Sequence, residues 1–264
     1  MKIKRRKSKL PKPYYETELG KLYHGDCLEI MPYLEPVDII LCDLPYGTTA
    51  CKWDIIIPFE PMWEQYKRII KDNGAIVLTA SQPFTSALVM SNPTMFKYEW
   101  IWDKSLSTGH LNSKIMPLKR HENLLIFSKS KHIYNPLMVE RKKQRINKSN
   151  NRVFHGDGLH TYGKFKSIDA KYDSRFPTSI INISNADKTN IVHPTQKPVA
   201  LFEYLIKTYT NDGNTVMDNC FGSGTTAVAC ERLKRRWIGI EIEEKYCEIS
   251  AKRIEQERKQ LKLF

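Results

Sequence analysis

Apolar positions along the chain gather into short continuous runs separated by amphipathic stretches, the pattern of strands covered on both faces alternating with helices. Lys21 to Asp26 predicts a short strand ending in a turn at Gly25, with a brief helix through Ile30 and Leu34 behind it. Val37 to Leu41 is a β-branched run whose strand ends at Asp43. From Pro61, the residues Met62, Trp63, Tyr66, Ile69 and Ile70 recur at helical spacing, and Asn73-Gly74 reads as the stop. Ala75 to Thr79 is the next buried strand, and a helix from Ser81 or Gln82 to Met90 follows. Tyr98 to Trp102 and Asn123 to Phe127 read as later strands, suited to an antiparallel sheet edge.

Between about Ser128 and Val192 the periodicity lapses, and the sequence turns basic, polar and aromatic: Arg141, Lys142, Lys143 and Arg145 precede Phe154, His155, Tyr162, Phe165, Tyr172 and Phe176. A loop this long in a compact domain is functional or disordered. Regular structure resumes at Pro198 with a helical face of Val199, Phe202, Leu205, Ile206 and Tyr209. A strand from Asn214 to Met217, a helix from Thr225 to Arg235, a strand from Trp237 to Ile242 and a charged helix from Glu243 complete the series. The plan is a basic tail (1–20), one α/β domain in two pieces (21–127 and 193–264), and an insertion (128–192).

Charge narrows the function. The formal net charge is +13 at pH 7, seven Lys or Arg fall in the first twelve residues, and residues 114–175 hold fifteen basic against five acidic side chains. Clusters of this kind suit a polyanion, and interleaved aromatics can fill an opened base stack or pack the insertion on itself. The N-terminal cluster serves either as a further phosphate contact or as a solubilising tail. None of the six cysteines stands in a C-x-x-C spacing, which argues against zinc and disulfides alike. No run approaches the ~20 apolar residues that span a bilayer, and the basic start has no apolar segment of a signal peptide. A soluble, cytoplasmic protein is expected.

Asp218-Asn219-Cys220-Phe221-Gly222-Ser223-Gly224-Thr225-Thr226 joins a strand to a helix. Missing Cβ atoms at Gly222 and Gly224 would let a nucleoside cofactor approach the backbone. The loop lacks the third Gly of a dinucleotide fingerprint and the Gly-Lys-Ser/Thr of a phosphate loop, which disfavours NAD and ATP. Glu241, ending the next strand, is placed where a carboxylate accepts from ribose hydroxyls.

With Asp43-Leu44-Pro45-Tyr46 upstream, this loop resembles the AdoMet-binding motif of the amino-group DNA methyltransferases. His193-Pro194-Thr195-Gln196-Lys197-Pro198 is similar to the family segment bordering the methionine end of the cofactor, and Gly25-Asp26 to the turn contacting its adenine. The resemblance implies S-adenosylmethionine as cofactor, held by Asp26, Cys27, Thr195, Gln196, Lys197, Asp218, Phe221, Gly222, Ser223, Gly224, Thr225, Thr226 and Glu241. Because the Asp43 motif precedes the insertion and the glycine loop follows it, the order resembles the circularly permuted β-class of this Rossmann-like methyltransferase fold. Seven sheet strands and an inserted target-recognition region are then expected.

In such an enzyme the Asp43 carboxylate and the Leu44 carbonyl would accept from the two N–H groups of a base amine, freeing its lone pair for attack. Pro45 would shape the turn and Tyr46 stack on a flipped base. The family pattern is Asp-Pro-Pro-Tyr; Leu44 replaces the first Pro, which bears on the rigidity of the turn and not on the carbonyl. C5-cytosine chemistry needs a Cys after Pro, and no Cys here follows one. Asp at the first position is typical of N6-adenine enzymes and Ser of many N4-cytosine enzymes. The expectation is therefore an adenine N6-methyltransferase acting on double-stranded DNA through Arg141, Lys142, Lys143 and Arg145, without a metal. Arg120-His121-Glu122-Asn123 is similar to a family motif bordering the base pocket, where His121 either contacts DNA or is structural. N4-cytosine methylation, methylation of RNA or a protein glutamine, and an inactive DNA-binding protein are the alternatives. A homodimer and a cognate restriction endonuclease are compatible partners.

Overall fold

Alternating burial on both sides of a parallel sheet positions everything else. A computed structural model describes residues 10–48, 51, 54–147, 170–185 and 196–261. The strands are β1 (Tyr15–Glu16), β2 (Gly20–His24), β3 (Val37–Asp43), β4 (Ile70–Ala80), β5 (Phe96–Thr108), β6 (Lys119–Phe127), β7 (Val139–Asn147), β8 (Ala170–Arg175), β9 (Ile180–Asn182), β10 (Thr215–Asp218) and β11 (Arg236–Glu241). The helices are α1 (Cys27–Ile30), α2 (Phe59–Ile69), α3 (Phe84–Ser91), α4 (Val199–Tyr209), α5 (Thr225–Leu233) and α6 (Glu244–Leu261). On β3, Ile39 and Leu41 face a core shared with α4, α5 and α6, whereas Ile40 and Cys42 face a second core shared with α1, α2 and α3. This two-sided burial is why the strand reads as an unbroken apolar run.

Among the described residues the main sheet has nine strands in the order β1-β2-β11-β10-β3-β4-β6-β5-β9. From β2 to β4 all neighbours are parallel, and β6 is antiparallel to both β4 and β5. Seven strands form the expected sheet; the further two are the short edge pieces β1, antiparallel on β2, and β9, parallel on β5. The chain moves outward one way from β3 to β4 and the other way from β10 to β11. The β3/β10 seam is thus the topological switch point, the crevice where open α/β sheets bind ligands. Asp43 and Asp218 end these two strands.

Asn73-Gly74 is not a helix stop. Helix α2 ends at Ile69 and β4 begins at Ile70, with residues 71–74 bulging between the pairs Val37↔Ile70 and Ile39↔Ala75. An added Cβ on Gly74 would lie 2.7 Å from the Asp38 carbonyl, so a close backbone approach explains the glycine. The buried Asp38 carboxylate holds this bulge through Lys71 Nζ at 2.7 Å and holds the start of β10 through Thr215 N at 2.9 Å.

Residues at both margins of the expected 128–192 insertion belong to the main unit. Ser128 Oγ donates to the Gly74 carbonyl at 2.9 Å, Asn135 Nδ2 to the Thr210 carbonyl at 3.0 Å, and β9 extends the sheet. Pro136–Thr178 forms a separate compact unit. Its described part is not irregular, because β7 and β8 pair as an antiparallel ribbon with a bulge between Glu140 and Arg145. Phe154, His155, Tyr162 and Phe165 lie outside the described residues, as do His193, Pro194 and Thr195. Among the described residues, no helix is long and apolar enough to cross a membrane, and no His/Cys/Asp/Glu group could hold a metal.

Phe221 anchors the glycine loop in the core, its ring stacked on Trp237 with centroids 5.7 Å apart. An added Cβ on Gly239 would lie 2.5 Å from that ring. Gly239→Ala should therefore destabilise the protein by about 1–3 kcal/mol, read as a lower urea midpoint at unchanged slope. An unshifted midpoint would mean that the Phe221 ring can give way.

Candidate active site

Two clusters meet along the β3/β10 seam. The first is built on Asp43. Its Oδ1 accepts from Tyr46 Oη at 3.1 Å and from Thr79 Oγ1, and its Oδ2 accepts from Lys197 Nζ at 2.7 Å. Thr79 is Asp43's register partner on β4, so parallel pairing delivers this contact. Tyr46 Oη lies 2.7 Å from Thr79 Oγ1, and its ring is backed by Phe84 at 5.2 Å. Beyond the turn, Asp54 accepts from Gly47 N and Thr48 N, both at 2.9 Å, which fixes the chain leaving Tyr46.

Lys197 is where the structure departs from the expected assignment. Its ammonium does not turn toward the glycine loop; it reaches Asp43 and lies 3.4 Å from Glu122 Oε2, while Lys104 Nζ sits 3.1 Å from Glu122 Oε1. Lys104, Glu122, Lys197 and Asp43 form a largely buried chain of alternating charge. Burial disfavours the Lys197 cation, but the Asp43 and Glu122 carboxylates outweigh it and hold the ammonium above the usual lysine range. Burial likewise opposes the Glu122 anion, yet Lys197 and Lys104 keep it below the usual glutamate range. Burial, then the Asp43 and Glu122 charges, push the Tyr46 phenol well up, so it stays a neutral donor.

The second cluster is the glycine loop. Glu241 Oε2 accepts from Gly222 N at 2.6 Å and Oε1 from Glu243 N at 2.9 Å, while its carbonyl accepts from Gly25 N at 2.9 Å. Burial raises the Glu241 carboxyl against these hydrogen bonds. Asp26 caps α1 through Leu28 N at 2.8 Å, and the buried Cys27 Sγ accepts from Asn219 Nδ2. Asn219 in turn accepts from Tyr66 Oη of α2 at 2.6 Å. The two glycines differ. Gly224, at φ +75°, has Ser250 Cβ of α6 only 2.8 Å from any added Cβ, so its side faces the protein's own helix. Gly222, at φ +52°, has nothing nearer than the Cys220 carbonyl at 4.0 Å, so here the backbone lies open to a ligand. Phe221 points inward and serves packing.

The Gln196-Lys197 segment joins the clusters. Ser223 Oγ donates to Gln196 Oε1 at 3.2 Å, and Thr225 Oγ1 donates to the Lys197 carbonyl at 3.4 Å. Arg253 of α6 grips the same loop, donating to Ser223 O, Ser223 Oγ and Thr225 Oγ1 at 3.0–3.1 Å. Thr79, Phe84 and Arg253 were missed in the sequence; only the helical register Ser250, Arg253, Ile254 on α6 hints at an inward arginine. His121 is exposed opposite Asp103, away from the Asp43 cluster's hydrogen bonds. Arg141 Nε donates to the Ser174 carbonyl at 3.1 Å across the ribbon, and Lys142, Lys143 and Arg145 share β7.

Comparison with known proteins gives this arrangement its class. Residues 37–252 match the DNA methylase family of N6 and N4 amino-methyltransferases. The chain is 26% identical to the type II methyltransferase M2.DpnII of Streptococcus pneumoniae, covering 94% of each protein. It is 25% identical to the type II methyltransferase M1.MboII of Moraxella bovis, covering 87% of this chain and 94% of that protein. Among solved structures, the M1.HpyAVI–SAM complex superposes with a TM-score of 0.60 at 25% identity over 89% of this chain and all of the other. The cytosine-N4-specific PvuII DNA methyltransferase shares the fold at a TM-score of 0.63 and 18% identity, covering 90% of this chain and 87% of that one. The chain belongs to the N6/N4 DNA methylase family, whose methyl donor is S-adenosylmethionine. The open backbone at Gly222 and the adjoining Glu241 carboxylate fit a nucleoside of this kind.

Asp218 shapes the loop between the clusters, accepting from Cys220 N at 3.0 Å and from Thr226 Oγ1. Burial pushes its carboxyl up to about 7. A folded value above the unfolded one means that the native state binds the extra proton, so stability should fall as pH rises from about 4 to about 7. Asp218→Asn, which keeps an acceptor but cannot ionise, should flatten this part of the profile. Urea midpoints across that range test it; parallel wild-type and variant curves would count against a protonated Asp218.

Proposed function

We propose that the protein methylates the N6 amine of an adenine flipped out of duplex DNA, at a site recognised through the 136–178 unit. The observation that carries this reading is the Asp43 carboxylate, fixed by Thr79, Tyr46 and Lys197 at the switch point beside the glycine loop. The amine of adenine is a poor nucleophile because its lone pair is delocalised into the ring. Asp43 and the Leu44 carbonyl accept from its two N–H groups and draw it toward tetrahedral geometry. The same carboxylate takes the proton that the amine sheds after transfer. Tyr46, backed by Phe84, supplies an aromatic wall for the base, and Pro45 sets the turn between them. Lys197 keeps the Asp43 side chain aimed.

Bound S-adenosylmethionine supplies an electrophilic methyl group on a sulfonium. Glu241 would accept from its ribose hydroxyls, Gly222 would give its backbone room, and the Gly25-Asp26 turn, tied to Glu241, would border its adenine together with Cys27. Gln196 and Ser223 would border its methionine end, as would Thr195 by the family resemblance, while Asp218, Phe221, Gly224, Thr225 and Thr226 shape the loop. Sequencing modified bases in DNA from cells expressing the protein tests the reading. N6-methyladenine at one recurrent site is expected; N4-methylcytosine would make it the cytosine counterpart, and no modified base would overturn it.

Asp43→Ala should slow methylation by on the order of 100-fold or more, since a preorganised acceptor is lost, with S-adenosylmethionine affinity by calorimetry nearly unchanged. Wild-type turnover by this variant would remove Asp43 from the chemistry.

A two-stranded ribbon fits the major groove, and β7 carries Arg141, Lys142, Lys143 and Arg145. Neutralising all four removes up to four phosphate contacts, each worth roughly 0.9 in the slope of log affinity against log salt. A salt titration of duplex binding should show the shallower slope; identical slopes and affinities would locate the DNA surface elsewhere.

A further inference from the structure

The β5–β6 hairpin does not stop at the edge of the sheet. Thr79 pairs with Leu124, and Thr79 is itself level with Asp43, so Leu124 marks the height of the Asp43 carboxylate on β6. Pairing of β6 with β5 continues outward through His121↔Asp103 to Lys119↔Thr108. From Leu124 to Lys119 is five residues, roughly 16 Å at the strand rise, with residues 109–118 beyond. The hairpin therefore stands out from the same carboxyl edge that bears the target-base site. It is tied to that edge by Lys119 Nζ, which donates to Ser81 Oγ just past β4.

The composition of the tip is unusual for a solvated loop. Leu106, Leu111, Ile115, Met116 and Leu118 are all exposed, Leu111 completely and Ile115 by 78%. Between Asp103 and Glu122 there is no acidic side chain, while Lys114 and Lys119 contribute positive charge that no acid of the hairpin offsets. The acids at its root are engaged by the hairpin's own bases: Arg120 Nε lies 2.8 Å from Asp103 and Lys104 Nζ lies 3.1 Å from Glu122. Apolar side chains without neighbours invite a partner. A cationic surround chooses which.

We propose that the tip of this hairpin, residues 105–118, docks on the duplex at the target step. There its apolar side chains, Leu111, Ile115 and Met116 foremost, fill the space vacated by the flipped base while Lys114 and its cationic neighbours meet phosphate. Wedges of this type offset unstacking by replacing base contacts with apolar ones. The proposal rests on the base-flipping reading above for the event it assists. The tip belongs to the main unit rather than to the 136–178 unit, and its role is a different one, that of holding the duplex open at one step.

The test uses the full chain carrying Leu111→Ser, Ile115→Ser and Met116→Ser together, positions already exposed, so that the fold is preserved; S-adenosylmethionine affinity by calorimetry should match wild type. Single-turnover methylation is then measured on a duplex holding the recurrent site and on the same duplex with the target base opposite an abasic position, where opening costs little. The variant should be about 10-fold or more slower on the intact duplex but within about 3-fold of wild type on the pre-opened one. Equal losses on both substrates, or none on either, would overturn the proposal. Hydrogen exchange of the wild-type chain with sonicated duplex DNA of mixed sequence judges the surface independently of catalysis. Slower exchange in residues 105–118 is expected on adding DNA. No slowing, or slowing produced by concentrating the protein alone, which would indicate a second copy on the tip, overturns it. Were wild type to methylate no base at all, the amine-methylation reading would fail while the exchange result still decided the hairpin.

Discussion

A buried ammonium must be paired, and in this protein the pairing of one lysine fixes how distant pieces of chain come together. Lys197 lies just ahead of α4, yet its Nζ is held by Asp43 from β3 and by Glu122 from β6. Together the two carboxylates offset the cost of removing the cation from water, and Glu122 is held in turn by Lys104. Any departure of β6 or of the 196–198 segment from its place strands a charge in the interior. The register of β3, β4 and β6 is thereby coupled to which oxygen Asp43 keeps for other partners, since Lys197 occupies Oδ2 while Thr79 and Tyr46 share Oδ1.

A comparable division governs the glycine loop, where each residue has a separate physical reason. Phe221 is a core side chain whose ring requires Gly239 beneath it. Gly224 keeps α6 close enough for Arg253 to reach Ser223 and Thr225. Gly222 alone has its missing side chain facing open space, and its N–H is held by Glu241. A loop that looks like one cofactor motif is thus a packing device with one open window. Its carboxylate frame comes from the strand next door, because β10 and β11 are parallel neighbours in register.

Most of this frame was legible in the sequence because two-sided burial writes continuous apolar runs, and strand ends carrying Asp43, Asp218 and Glu241 follow directly from where those runs stop. What was illegible has common causes. β1 and β9 are two and three residues long and too short to show a period. The β7–β8 ribbon is charged along its length, so no apolar alternation announces it, and the Gly74 bulge borrows the residues of a helix stop. Side-chain direction is the other gap. The sequence places Lys197 beside a cofactor segment, but which way its four-carbon stem turns is decided by the two carboxylates that β3 and β6 bring within reach, and no local pattern encodes that meeting.

The charge chain also explains how a strongly cationic protein can hold a neutral centre. The charges of Lys104, Glu122, Lys197 and Asp43 sum to zero, so within this chain they compensate one another locally. The excess of thirteen positive charges must then act from elsewhere on the surface. Binding strength carried by exposed cations is screened by salt, whereas the buried pairs around Asp43 are screened far less. Exposed cations and the buried Asp43 cluster are thus governed by different electrostatics: ionic strength can weaken the pull of the surface on a polyanion while the buried pairs keep their geometry.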